Sequence, residues 1–493
     1  MRRRGAPTPL PPAPAADGAG NVVGTTTPGT IGPLWFQALT VFETVATVNG
    51  LPSGAAIQGL GPSFNGQSCF ECHSQPTVGG SSPGHVSTAH FSFTSNGFTE
   101  NPQIQDASAM SANNSVPTFL DPDRSNGPII ESRVINAVPA VNFAAAVPAG
   151  AVAELFVIDK RTDAPGACVI DQVDLQTQFG NNNLIFRIPI PTFGDGFVEN
   201  IPESALAQNF GANATLKSSL GINSNAATGF NRGGNDGTIT RFGWKAQNKS
   251  LLMFAGEAAN VELGVTNELF PNEKSLGNGH CATNAQPEDQ VTAPALDTAL
   301  GAAGEASVIS SDIENFAVFM RLNGAPSICN WNSGLTNGFA NCLAVDQTVL
   351  AGAALFGSTI LPAPSGTAPA SIGCVLCHSD NFTTAASVTG SLSNAPVHPF
   401  SDFGLHHMGG LADGVTQGLA GPDQFRTAPL WGLGQRLFFM HDGRASDLAA
   451  AIADHCLTPT GSNPASEACK VVANFHALSA AQQEDIFHFL RSL

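Results

Sequence analysis

The 493-residue chain contains no tyrosine. That absence excludes a tyrosinate metal ligand and a tyrosyl radical relay. Positive charge is also scarce, with 20 Lys and Arg against 38 Asp and Glu, for a formal net charge of −18. Such a surface repels nucleic-acid phosphate and anionic lipid, so neither is expected as a partner, whereas a basic redox donor is favoured. Long apolar runs are missing too. The most apolar stretch, Val134 to Ile158, is broken by Asn136, Pro139, Asn142, Pro148 and Glu154, which rules against a transmembrane segment. Met1 to Arg4 is basic, but Gly5 to Gly20 is rich in Pro and Ala and lacks the apolar core of a signal peptide. Charged residues make up only 12%, alongside 52 Gly and 34 Pro, which describes a loop-rich globular chain long enough for two or three domains.

Two copies of one pentapeptide stand out: Cys69-Phe70-Glu71-Cys72-His73 and Cys374-Val375-Leu376-Cys377-His378. Each is the attachment pattern of a c-type haem, in which both sulfurs bond to the porphyrin edge and the histidine becomes the proximal iron ligand. The two intervening residues let both sulfurs reach one ring edge. A thioredoxin-like thiol pair or half of a zinc site would explain the cysteines but not the repeated histidine. The expected cofactors are two covalently bound haem c groups, with His73 and His378 as metal ligands.

The six other cysteines are Cys168, Cys281, Cys329, Cys342, Cys456 and Cys469. Cys329/Cys342 and Cys456/Cys469 are close enough in sequence for short local disulfides, with buried free thiols as the alternative. Disulfides and covalent haem both imply a periplasmic or otherwise exported protein.

The chain also repeats itself. After a flexible leader over 1–30, an apolar segment from Leu34 to Val48 with helical spacing leads into the first motif, as Val349 to Leu355 does for the second. Asp312–Leu322 and Glu484–Leu493 both place Phe before a final Arg on amphipathic closing helices, the second capped by Ser479. Residues 244–251 lie on 441–448 without a gap, and the register continues to place Ala258 opposite His455. Between these parts, Glu154–Lys160 and Asn183–Pro191 have β character. The expected fold is therefore mainly α. It has two cytochrome c-like domains, 31–325 and 343–493, the first carrying a β-containing, loop-rich insertion at about 100–190.

Several runs together resemble the bacterial di-haem oxidoreductases, a peroxidase-type family related to di-haem cytochrome c peroxidases, the MauG enzymes and the rubber oxygenases. In the first half they are Gly59-Leu-Gly-Pro-Ser-Phe-Asn65 leading into the first motif, Pro76-x-x-Gly-Gly80 and Arg241-Phe-Gly-Trp-Lys-Ala-Gln247. In the second they are Phe400-Ser-Asp402, His406-His-Met-Gly409, Leu411-Ala-Asp-Gly414, Phe425-Arg-Thr-Ala-Pro-Leu-Trp-Gly-Leu-Gly434 and His441-Asp-Gly-Arg444.

The resemblance implies that the C-terminal haem handles electrons with a second axial ligand, His455, or Met408 as its rival. It implies peroxide reduction at the N-terminal haem, with Trp244 as the aromatic bridge and Trp431 as its backup. His85 or His90 would be the displaceable distal ligand of the first haem, if it has one. Glu262, with Glu257 as alternative, would manage protons. Arg426, Arg436 and Arg444 are candidates for haem propionates. Calcium is not expected, because Arg436 stands where a calcium-binding threonine would be. Expected partners are a small redox donor protein or dye, and peroxide or oxygen. The alternatives are oxygen-dependent oxidation or cleavage of an organic substrate, and a non-catalytic electron-transfer cytochrome.

Overall fold

A computed structural model describes residues 32–44, 68–81, 184–271, 311–326 and 347–493, together with isolated residues and short strands between them. The leader, His85, His90, Cys281, Cys329, Cys342 and the boundary near Leu343 lie outside the described residues. The described chain is mainly α. Its helices are α1 (Gly32–Glu43), α2 (Cys69–Cys72), α3 (Asp195–Glu199), α4 (Glu203–Gly211), α5 (Ala214–Leu220), α6 (Leu251–Glu262), α7 (Asp312–Leu322), α8 (Gln347–Phe356), α9 (Leu448–Asp454), α10 (Cys469–His476) and α11 (Ala480–Arg491).

Strand is short and paired two by two. Gln103–Asp106 pairs antiparallel with Leu184–Arg187, Lys160–Arg161 with Cys168–Val169, and Phe156–Val157 with Ser63–Phe64. These pairs supply the β character expected between 100 and 190. Among the described residues no helix is long and apolar enough to cross a membrane.

In each half, a helix ahead of the haem motif packs against a closing helix through phenylalanines. Phe42 of α1 stacks on Phe319 of α7 with ring centroids 4.1 Å apart, and Phe356 of α8 meets Phe489 of α11 at 5.2 Å. Phe319 and Phe489 are fully buried, each in the core of its own half. The contact between α8 and α11 needs Gly352, because a Cβ there would lie 1.9 Å from the Asp485 carbonyl oxygen.

The internal register seen in the sequence is a structural repeat. Phe242 bridges Asn248 in one half as Phe439 bridges Ala445 in the other. The turn between them uses left-handed backbone at Gly243 and Ala246, matched by Met440 and Gly443. Both turns feed a capped helix: the Ser250 hydroxyl accepts from the Met253 N–H at 3.2 Å, and the Asp447 carboxylate accepts from the Ala450 N–H at 2.8 Å.

The halves then clasp each other reciprocally. The Arg426 N–H donates to the Trp244 carbonyl at 2.9 Å, and the Ile188 N–H donates to the His441 carbonyl at 2.7 Å. Trp431 packs its ring on Gly194, while Phe193 packs its ring on Gly432. Contacts of this kind are those of an approximate two-fold rotation, with Trp244 and His441 facing each other near its axis at 6.3 Å between ring centroids.

Matched caps should have matched value. Ser250→Ala and Asp447→Ala are each expected to cost about 1 kcal/mol in chemical unfolding, and the double variant should come within about 0.5 kcal/mol of the sum.

Candidate functional site

Both motif histidines are held the same way. The His73 N–H returns to the Cys69 carbonyl at 3.0 Å, and the His378 N–H to the Cys374 carbonyl at 3.0 Å, so each motif closes into one helical turn. His73 Nδ1 lies 2.9 Å from the Gly80 carbonyl oxygen, and His378 Nδ1 lies 3.0 Å from that of Phe400. A carbonyl only accepts, so Nδ1 carries the proton and Nε2 keeps its lone pair for a metal. Each clamping segment is itself fixed by the neighbouring carbonyl: Gly79 accepts from Thr192 at 2.7 Å, and Pro399 accepts from Leu430 at 3.0 Å. Burial lowers the pKa of both rings to about 4, which keeps them neutral at pH 7.

The four motif cysteines are free of disulfides. Burial pushes the Cys69 and Cys374 thiols well up, with Asp312 and Glu262 adding to the effect at Cys69. Redox-active cysteines show the opposite shift, toward thiolate. Cys377 also clusters with Asp402 and His406. Both nitrogens of His406 are already engaged, however, Nε2 with Asp402 at 3.0 Å and Nδ1 with Glu467 at 2.7 Å. That cluster is a closed hydrogen-bonded network.

The second motif opens onto a cleft lined among others by Cys374, Cys377, His378 and His455. His455 is the C-cap of α9, and its Nδ1 donates to the Ala451 carbonyl at 2.7 Å, again leaving Nε2 free. The rings of His378 and His455 have centroids 6.3 Å apart. Metal–imidazole bonds are about 2 Å long and the ring centre lies roughly 1.2 Å behind the nitrogen, so two rings sharing one metal stand about 6.4 Å apart. The His455 end is fixed by the Cys456–Cys469 disulfide and by Ser466, whose hydroxyl donates to the His455 carbonyl at 2.5 Å. Met408 lines the same cleft, its sulfur 3.9 Å from the Ser466 hydroxyl oxygen.

On the first side, α6 presents Ala258 at the position where α9 presents His455. Glu262 ends α6, within electrostatic reach of Cys69. Glu257 is buried against Gln247 and Asn248, whose amides donate to its carboxylate. The motif rings face equivalent phenylalanines, Phe42 at 6.0 Å from His73 and Phe356 at 6.2 Å from His378. Trp244 is buried, donates its indole N–H to the Ile188 carbonyl at 2.7 Å, and lines the second cleft. Trp431 instead belongs to the core of the first half.

Residues 358–493 match the family model described as "Di-haem oxidoreductase, putative peroxidase". This C-terminal region is similar to the di-haem oxidoreductase family. No curated protein matches the chain.

That family implies haem as the cofactor, and the donors around the second cleft fit it. Three arginines were candidates for propionates, and the structure separates them. Arg444 is spent on Asp442, and Arg426 donates to the Gly243 carbonyl and has Asp195 as its nearest countercharge. Arg436 lines the cleft with Nε and one terminal nitrogen buried and lacking a hydrogen-bond partner. Burial alone lowers its pKa to about 10. A buried cation left that way is costly unless an anion arrives, and a haem carboxylate is such an anion.

Two features of the structure escaped sequence reasoning: His441 beside Trp244, and a buried cluster of Arg187, Asp413 and Lys245. The repeat register already paired His441 with Trp244, so that signal was available. The buried cluster had none.

Arg436→Met is expected to stabilise the haem-free chain by about 1–3 kcal/mol, the cost of the unsatisfied group. The same change should lower the melting temperature of the haem-loaded protein. Calorimetry on both forms checks the sign reversal.

Proposed function

We propose that the chain is a di-haem c-type oxidoreductase that reduces peroxide at an N-terminal haem on His73, with electrons relayed from a C-terminal haem on His378 and His455. Both haems are covalent, through Cys69 and Cys72 and through Cys374 and Cys377. The observation that carries the reading is the contrast between the His378–His455 spacing and Ala258 at the repeat-equivalent position. One site has a second imidazole ready on the α9 side, and the other has a methyl group there.

Haem at the two sites supplies one-electron chemistry. The chain's own residues do the rest. His378 and His455 close the second site to small molecules, which suits it to electron entry from a small donor protein or dye. Trp244 provides the aromatic contact between the halves, a role that falls to tryptophan in a chain without tyrosine. Peroxide needs two electrons and two protons to become two waters. Glu262, at the end of α6 and near the first motif, is placed to move a proton between the peroxide oxygens. Covalent haem and the Cys456–Cys469 disulfide both favour an oxidising, exported location.

EPR of the oxidised protein should show one low-spin haem and one that is high-spin or readily displaced. Two permanently low-spin haems would make the protein an electron carrier. His455→Ala should convert the low-spin signal to high-spin and lower peroxide turnover by more than about 10-fold, the cost typical even of an outer-shell partner. An unchanged spectrum would pass the ligand role to Met408. Turnover that stays at background with a reduced donor, even after reductive activation, would sink the peroxidase reading.

A further inference from the structure

Lys245 follows Trp244 and is fully buried. Its Nζ lies 3.2 Å from Asp413 Oδ1 and donates to the carbonyls of Gly421 at 2.9 Å and Pro422 at 3.2 Å. Three acceptors for three N–H bonds make a cradle for an ammonium group. The same nitrogen sits 3.9 Å from the centre of the Phe425 ring. Phe425 lines the second cleft and lies against His441, with centroids 4.3 Å apart. One aromatic residue therefore separates a buried amine from the cleft wall.

The countercharge is undersized. Asp413 Oδ2 is held by Arg187 through Nη2 at 2.6 Å and Nε at 3.0 Å, so one carboxylate serves two cations. The next acid, Asp423, accepts from His407 at 2.8 Å and adds a weaker pull on the Lys245 ammonium. Asp442, the repeat counterpart of Lys245, is paired with Arg444. His441 is neutral at pH 7, its pKa lowered to about 4 by burial. Burial also lowers Lys245 to about 8, against the pull of Asp413 and with Arg187 adding to the fall.

We propose that Lys245 is a redox-linked proton site for the second cleft. One electron from a one-electron donor enters the site on His378 and His455, and one proton from solvent binds the Lys245 amine to give the ammonium. The proton leaves when the electron moves on. The inference rests on the haem assignment above and adds to it a residue outside every attachment or ligand position. Charge compensation across one aromatic ring is favourable because a low-dielectric interior screens poorly. The sign follows from the charge: protonated Lys245 favours the reduced site, so the midpoint potential is highest below the amine's pKa and falls as pH rises through it.

The test is spectroelectrochemical titration of the haem-loaded protein between about pH 6.5 and 10, comparing wild type, Lys245→Met and Lys245→Arg. Arg, Asp and His groups facing Lys245, namely Arg187, Asp413, Asp423 and His441, are common to all three proteins, so the differences isolate the amine. For the wild type, the C-terminal haem's potential should fall across the region near pH 8. Lys245→Arg should remain high across that region, since guanidinium stays charged. Lys245→Met should be low throughout, with the reduced-to-oxidised ratio at neutral pH and fixed ambient potential down about tenfold, which is 59 mV for one electron.

Wild-type values and slope in Lys245→Met would overturn the proposal while leaving the haem assignment intact. Absence of a second haem wave in the wild type would overturn both. Lys245→Arg, which keeps the charge, shows whether a loss in Lys245→Met is one of folding.

Discussion

Two backbone hydrogen bonds at the centre of the molecule organise everything around them: Arg426 to the Trp244 carbonyl and Ile188 to the His441 carbonyl. They join turns that belong to opposite halves, and each turn also sets the direction of the helix that follows it. The first turn aims α6 at the His73 side, and the second aims α9 at the cleft of His378. The side chains on those two turns, Trp244 and His441, are brought face to face as a consequence. If the clasp shifted, His455 and the aromatic contact between the halves would move together.

Buried polar groups around this clasp are satisfied unequally. His406 has a carboxylate on each nitrogen, and Asp413 holds two cations. Among the described residues, two nitrogens of Arg436 have no hydrogen-bond partner. A folded chain tolerates a deficit of that kind at a place where another molecule completes it. Well-satisfied networks such as that of His406 belong to the framework, and the orphaned donors of Arg436 mark the receiving surface.

Much of this was legible in the sequence because it depends on local chemistry. A turn with left-handed positions followed by a Ser or Asp cap has to look similar wherever it occurs, so the register that pairs Trp244 with His441 survives in the residues themselves. The closing helices and the Ser479 cap were visible for the same reason, as was the short loop of the Cys456–Cys469 disulfide. Roles fixed by distant partners were not legible. Arg426, Arg436 and Arg444 look alike until the fold gives one a carbonyl, another an aspartate and the third nothing. Glu257 and Glu262 lie on one helix, and only packing shows that the former is used by Gln247 and Asn248. Lys245 beside Trp244 could be read as a solvated charge, whereas the fold buries it completely.

The approximate two-fold has a further consequence. In a symmetric pair of identical subunits, any substitution on one side of the axis must appear on the other. Here the two halves are joined in one polypeptide, and that obligation is lifted. Histidine can stand at 455 while alanine stands at 258, and an indole can face an imidazole across the axis. Covalent linkage of the halves is thus what permits one repeated scaffold to carry different side chains at equivalent positions.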